Sequence, residues 1–241
     1  MTPEPGRPAQ PRVSEGDLAR LGRLVGLAGL VLYNWWLAVA LGWLGRGALI
    51  TSPDSLFSDL EAPGRPDATV LRTLDVVAGS LVLVGLLLRG RHAPGGRRRE
   101  WALLVAFAVA VVIGGLFPYV CAEGISASCR AAKWHFNLPW RHYVHVVAGV
   151  AEFLAASGAT VVAWCRTSGR PGWVSRMVRV VGVVLLVAYP LIGVSYLTDR
   201  LGALVEPLFF VGFSAVVAVE LLESTGPGDP ALRVTSGRRG R

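Results

Sequence analysis

HYVHVVAGVAEFLAASGATVVAWC, residues 142–165, decides the fold. Across these 24 residues Glu152 is the only acid and no Lys or Arg occurs. A helix rises about 1.5 Å per residue, so this run spans about 36 Å and exceeds the roughly 30 Å of a bilayer core. Its apolar residues are continuous rather than alternating, which argues against a barrel strand. The same reading applies outward to five further runs, at 24–44, 70–88, 101–119, 177–197 and 202–222. The expected fold is an all-α integral membrane bundle of six transmembrane helices over residues 24–222.

Composition agrees. Hydrophobic residues make up 53% of the 241 and charged residues 17%. A soluble domain usually carries about 25% charged residues to wet its surface. The net charge of +8 raises the question of a nucleic-acid partner, but the basic residues fall in short clusters between apolar runs, the pattern of membrane loops. No nucleic acid is expected as a partner. The first run is too long for the core of a cleavable signal and reads as a retained anchor. Residues 1–23 before it and the basic segment 223–241 read as disordered cytoplasmic tails.

With the N-terminus and C-terminus cytoplasmic, seventeen of the 24 basic residues fall on the inner side, including Arg89, Arg91, Arg97, Arg98 and Arg99. The inner loops read as topology signals that also meet anionic lipid headgroups. No P-loop, G-x-S-x-G, H-E-x-x-H or C-x-x-C motif occurs. On the outer side, Ser52-Pro53-Asp54 suggests the start of a short interfacial helix near 53–62. Cys121 and Cys129 lie in an outer loop, where paired thiols usually oxidise, so a disulfide is expected; metal ligation with His135 and free thiols are the alternatives.

Polar groups inside the bilayer are the main functional clue, because a charge at its centre costs about 2.5–3.5 kcal/mol. His142, His145, Gly149 and Glu152 recur on one stripe roughly 80° wide. Asn34 and Tyr189, at similar depth, are candidate partners for Glu152. Ser58, Asp59 and Asp75 precede or open the second span at the level of the two histidines. Packing the second and fourth spans side by side would gather Ser58, Asp59, Asp75, His142 and His145 into an outward-opening polar pocket with Glu152 at its floor. Arg72 is the nearest counter-charge for Asp75.

Ser58-Asp59-Leu60, RTLDVVAG (72–79), Phe117-Pro118 followed by Cys121 and Cys129, and HYVH (142–145) together resemble the family numbered 998 among domains of unknown function. The resemblance runs from about residue 24 to 222. It implies a multi-pass bacterial plasma-membrane protein, and the Arg/Ala/Gly/Val usage suits a high-GC actinobacterium. It brings no established activity. In that family an acid often stands before the first Cys, where this chain has Val120.

Three functional readings follow. The first is a non-enzymatic protein that organises lipid or binds a partner through the pocket, with no cofactor; on balance this is not an enzyme. The second is a metal-dependent lipid hydrolase. The intramembrane His, Asp and Ser are similar to those of alkaline-ceramidase-like enzymes, so His142, His145 and Asp75 are candidate zinc ligands. Those enzymes, however, space their histidines by four, and HYVH spaces them by three. The third is a small proton-coupled transporter working through Glu152.

Overall fold

The computed structural model describes residues 14–44, 54–90, 97–198 and 200–223. Among them, every regular element is helical: α1 (Glu15–Tyr33), α2 (Trp36–Ala40), α3 (Phe57–Leu60), α4 (Ala68–Gly90), α5 (Arg98–Leu116), α6 (Ala127–Trp134), α7 (Trp140–Thr167), α8 (Trp173–Thr198) and α9 (Gly202–Leu222). Six segments are long and apolar enough to cross a membrane: α1 with α2 as one, then α4, α5, α7, α8 and α9. The tail expected over residues 1–13, the helix start expected at Ser52-Pro53, the inner loop at 91–96 and the tail expected beyond 223 lie outside the described residues.

Element ends differ from expectation for local reasons. The first helix starts at Glu15, so residues 15–23 are its opening turns rather than tail; Ser14 caps them by accepting from the Asp17 amide at 3.1 Å. That helix breaks at Asn34, whose side-chain amide donates to the Leu30 carbonyl and to Ser214 Oγ and so competes with the main-chain ladder. The break turns Tyr33 and Trp35 inward, where both are buried. The interfacial helix foreseen at 53–62 is the single turn α3, and Phe57 and Leu60 are enclosed by the bundle, not laid on lipid.

Neighbouring spans pack in chain order: α1 on α4, α4 on α5, α5 on α7, α7 on α8 and α8 on α9, and α9 closes the ring on α1 while also touching α7 and α4. Thus α5 stands between α4 and α7 over most of their length, in place of the side-by-side packing of the second and fourth spans that the sequence suggests. Apolar helices gain no hydrophobic advantage from each other in lipid, so close backbone approach matters. A Cβ on Gly85 of α4 would lie 2.6 Å from the Cα of Gly26 on α1, so α1 and α4 cross there at glycine–glycine contact. Phe107, Phe153, Phe209 and Phe213 fill the centre. Leu and Val side chains outside this core, such as Val31 and Leu186, stand exposed as lipid-facing residues would.

The two ends of the bundle are chemically distinct. At one, Arg97 pairs with Glu220 and with Glu223 (2.8 Å), Arg166 grips Glu100 (2.8 and 3.2 Å) and Glu223 (3.0 Å), and Arg89 donates to the Glu223 carbonyl (2.6 Å). These bonds tie the ends of α4, α5, α7 and α9 together. At the other end lies the loop carrying the Cys121–Cys129 disulfide.

Candidate functional site

A cavity of about 450 Å³ occupies the half of the bundle nearer the disulfide, between α1, α3, α4, α5, α7, α8 and α9. Four carboxylic side chains line it: Glu61, Asp75, Glu152 and Glu206. Each is supplied by a different feature. Glu61 follows the α3 turn, Asp75 is two turns into α4, Glu152 is mid-way along α7, and Glu206 is one turn into α9. No Arg or Lys is among the lining residues.

Neutral donors serve these acids. The indole N–H of Trp35 donates to Asp75 Oδ1 at 2.5 Å, the Tyr33 hydroxyl to Glu152 Oε1 at 2.5 Å, and the Phe57 amide to Glu206 Oε2 at 2.5 Å. Glu61 and Asp75 hydrogen-bond each other, which requires a proton between them. Burial, reinforced by the neighbouring Asp75, pushes Glu61 well above the ordinary glutamic range. Glu61 Oε2 is enclosed and meets no hydrogen-bond partner among the described residues.

The rest of the wall is apolar and aromatic, with Tyr33, Trp35, Phe57 and Phe210 packed edge to face or tilted at 4.9–6.2 Å. On the α7–α8 side the lining includes Val150, Leu154 and Gly193, all also exposed on the outside of the bundle. The cavity therefore reaches the lipid-facing surface between those two helices.

Of the six expected pocket residues, Ser58, Asp75, His145 and Glu152 line this cavity, and Asp59 and His142 do not. Asp59 belongs to a smaller hollow beside it, and there it organises the disulfide loop. Its carboxylate accepts from the amides of Glu123 (2.6 Å), Gly124 (3.1 Å) and Leu56 (3.1 Å). Burial raises Asp59 to about 6 against the lowering effect of those three amides. Gly124 is required here, because a Cβ would stand 2.6 Å from Asp59 Oδ2.

His142 is fully buried and uses both ring nitrogens in the same lock. Its Nε2 bonds Glu123 Oε1 at 2.8 Å, and its Nδ1 accepts from the Val120 amide at 3.4 Å. Glu123 also pairs with Lys133 of α6. The carboxylate partner of His142 is thus Glu123, not Asp75, because α5 separates α4 from α7. His145 turns its Nδ1 to the carbonyls of Gly114 (3.0 Å) and Phe117 (3.1 Å). The Tyr119 ring packs on both imidazoles, 4.7 and 4.3 Å away, and borders both hollows.

Three further expectations are corrected. Glu152 is met by Tyr33 rather than Asn34 or Tyr189; Tyr189 bonds Ser157 Oγ (2.5 Å) and the Phe153 carbonyl (3.0 Å) instead. Arg72 folds back on its own helix, donating to the Ala68 carbonyl (3.2 Å) and Thr69 Oγ1 (3.0 Å), and leaves Asp75 to Trp35 and Glu61. The candidate zinc set of His142, His145 and Asp75 does not converge, and among the described residues no three His, Cys, Asp or Glu side chains are placed to hold a metal ion. Glu61, Glu123 and Glu206 were not singled out from the sequence; each sits in or beside an apolar stretch near one of the foreseen residues, but nothing in their spacing pointed to a shared site.

A family model described as Protein of unknown function (DUF998) matches residues 21–222, and the chain belongs to that family. No curated protein and no solved structure matches.

Proposed function

We propose that this membrane protein is a non-enzymatic binding protein of the plasma membrane, whose cavity receives an amphiphile from the surrounding lipid. The observation that carries this reading is the cavity itself, about 450 Å³, lined by four acids within an apolar wall and bounded toward α7 and α8 by residues that are also exposed. Ligand sites of this size typically combine an apolar wall with a few fixed polar groups. Binding is favoured over metal-dependent hydrolysis because the histidines are committed to Glu123 and to main-chain groups, with His142 using both ring nitrogens. The disulfide end faces the exterior and both termini the cytoplasm, in keeping with the Arg-rich loops at the opposite end. There the exposed Arg98, Arg99, Arg170 and Arg176 meet anionic headgroups.

Native mass spectrometry of the protein released from gentle detergent tests the reading. Gly149 lines the cavity and a Cβ there meets nothing within 4 Å, so Gly149→Trp fills space without a clash at its base. The wild type should carry an amphiphile-sized adduct that Gly149→Trp loses. Equal adducts on both would place the ligand elsewhere, and no adduct on either, even after amphiphile is added, would end the binding reading. A reporter fused after residue 241 should remain cytoplasmic; an exterior reporter would reverse the orientation.

A further inference from the structure

We infer that the occupant of the cavity is a cationic amphiphile, with an ammonium group seated against Glu61 and Asp75 and an alkyl chain leaving between α7 and α8. The inference rests on the binding reading above and names the chemistry of the ligand. Four carboxylic groups share one enclosure that no Arg or Lys lines. Buried acids are normally paired with a cation or fully hydrogen-bonded, and an unmet acceptor in such a place is costly. Glu61 is 2% exposed and its enclosed Oε2 has no partner among the described residues, while its neighbour Asp75 is half-buried on the cavity wall and is the carboxyl a ligand meets first.

Two features decide what kind of cation fits. A small metal ion would need several converging ligands, and no such group of side chains occurs among the described residues. An organic ammonium needs fewer: two or three hydrogen bonds to carboxylates and aromatic rings close by, since ring faces attract cations. Trp35 reaches Asp75 directly, Phe57 and Phe210 pack on Trp35, and Tyr33 packs on Phe210. On arrival the ammonium displaces the proton shared by Glu61 and Asp75: the carboxyl O–H breaks, the proton leaves to water, and N–H donors of the ligand take its place. The apolar remainder of the ligand then lies along Val150, Leu154 and Ile192 toward lipid.

Calorimetric titration of the purified full chain in neutral maltoside micelles, corrected for empty micelles, tests this with three probes of one chain length: dodecylammonium, dodecanol and dodecanoate. Dodecylammonium should bind at least about tenfold tighter than either of the others, as expected when one buried charge pair separates them. Glu61→Gln with Asp75→Asn should erase that preference, bringing dodecylammonium to the level at which the same variant binds dodecanol. Should the double variant not fold, Glu61→Gln alone should still cut the preference severalfold. Equal binding of the three probes, or preference for dodecanoate, overturns the cationic assignment and leaves the amphiphile site standing. Failure of all three to bind removes both.

Discussion

At the arginine end Glu100, Glu220 and Glu223 lie against guanidinium groups of Arg97 and Arg166. In the cavity Glu61, Asp75, Glu152 and Glu206 meet an indole, a hydroxyl, an amide and one another. Glu100 and Glu220 in the first set and Glu61 and Glu206 in the second are buried, with Glu223, Asp75 and Glu152 half-buried, so desolvation opposes a lone charge in both sets. The first set is neutralised within the fold and holds helix ends together. The second has no Arg or Lys among the residues that line its cavity and leaves Asp75 and Glu152 half-buried on an open volume, which is the condition of a site that something else completes.

The largest effect should come from breaking the paired set. Arg97→Ala leaves the Glu220 carboxylate buried without its guanidinium, which should cost about 3–5 kcal/mol in reversible unfolding from detergent. A loss under about 1 kcal/mol would mean that this end is solvated and the contrast is false. Next comes the disulfide, which closes a short loop of sequence separation 8. Replacing Cys121 and Cys129 by Ser should cost about 2–3 kcal/mol by loop entropy, leave the arginine end intact, and loosen the Glu123–His142 contact as seen by faster amide exchange around Val120.

Asp59 provides a pH test of the loop beside the cavity. Its folded value, about 6, lies above the ordinary 3.8, so the folded state binds the extra proton between those values. The stability Asp59 contributes is therefore fully present below about pH 4 and is lost as pH rises through 6, a change of about 3 kcal/mol. Subtracting the unfolding profile of Asp59→Asn from that of the wild type isolates it; a difference that instead grows in favour of the wild type from pH 4 to 7 would show an acid stabilised as the anion. The smallest effect belongs to the unpaired set. Glu61→Gln keeps a hydrogen-bonding group beside Asp75 and removes no ion pair, so ligand-free stability should change by less than about 1 kcal/mol. A loss near that of Arg97→Ala would make Glu61 a structural residue.

The six spans were legible because each is a continuous apolar run, a pattern that survives any packing. Packing order was not. Helical periodicity places His142, His145 and Glu152 on one stripe of α7, but it does not say that His145 and Glu152 share a cavity with Asp75 while His142 turns to the disulfide loop. The disulfide loop compounded this, because Glu123 returns from a sequence-distant position to claim His142. Glu206 carried no signal beyond being an acid near a span end, and its role depends on the α3 turn placing the Phe57 amide against it. The Arg-rich loops were read as orientation signals, and only coordinates reveal that Arg97 and Arg166 grip acids on α5 and α9.

The most direct test is an experimental density map of the full chain with dodecylammonium bound. The account predicts density for the head within hydrogen-bond reach of Glu61 and Asp75, with the chain passing Val150 and Leu154 toward the α7–α8 surface. Density for the amphiphile elsewhere, with the Glu61–Asp75 hydrogen bond intact and the cavity unfilled, would contradict it.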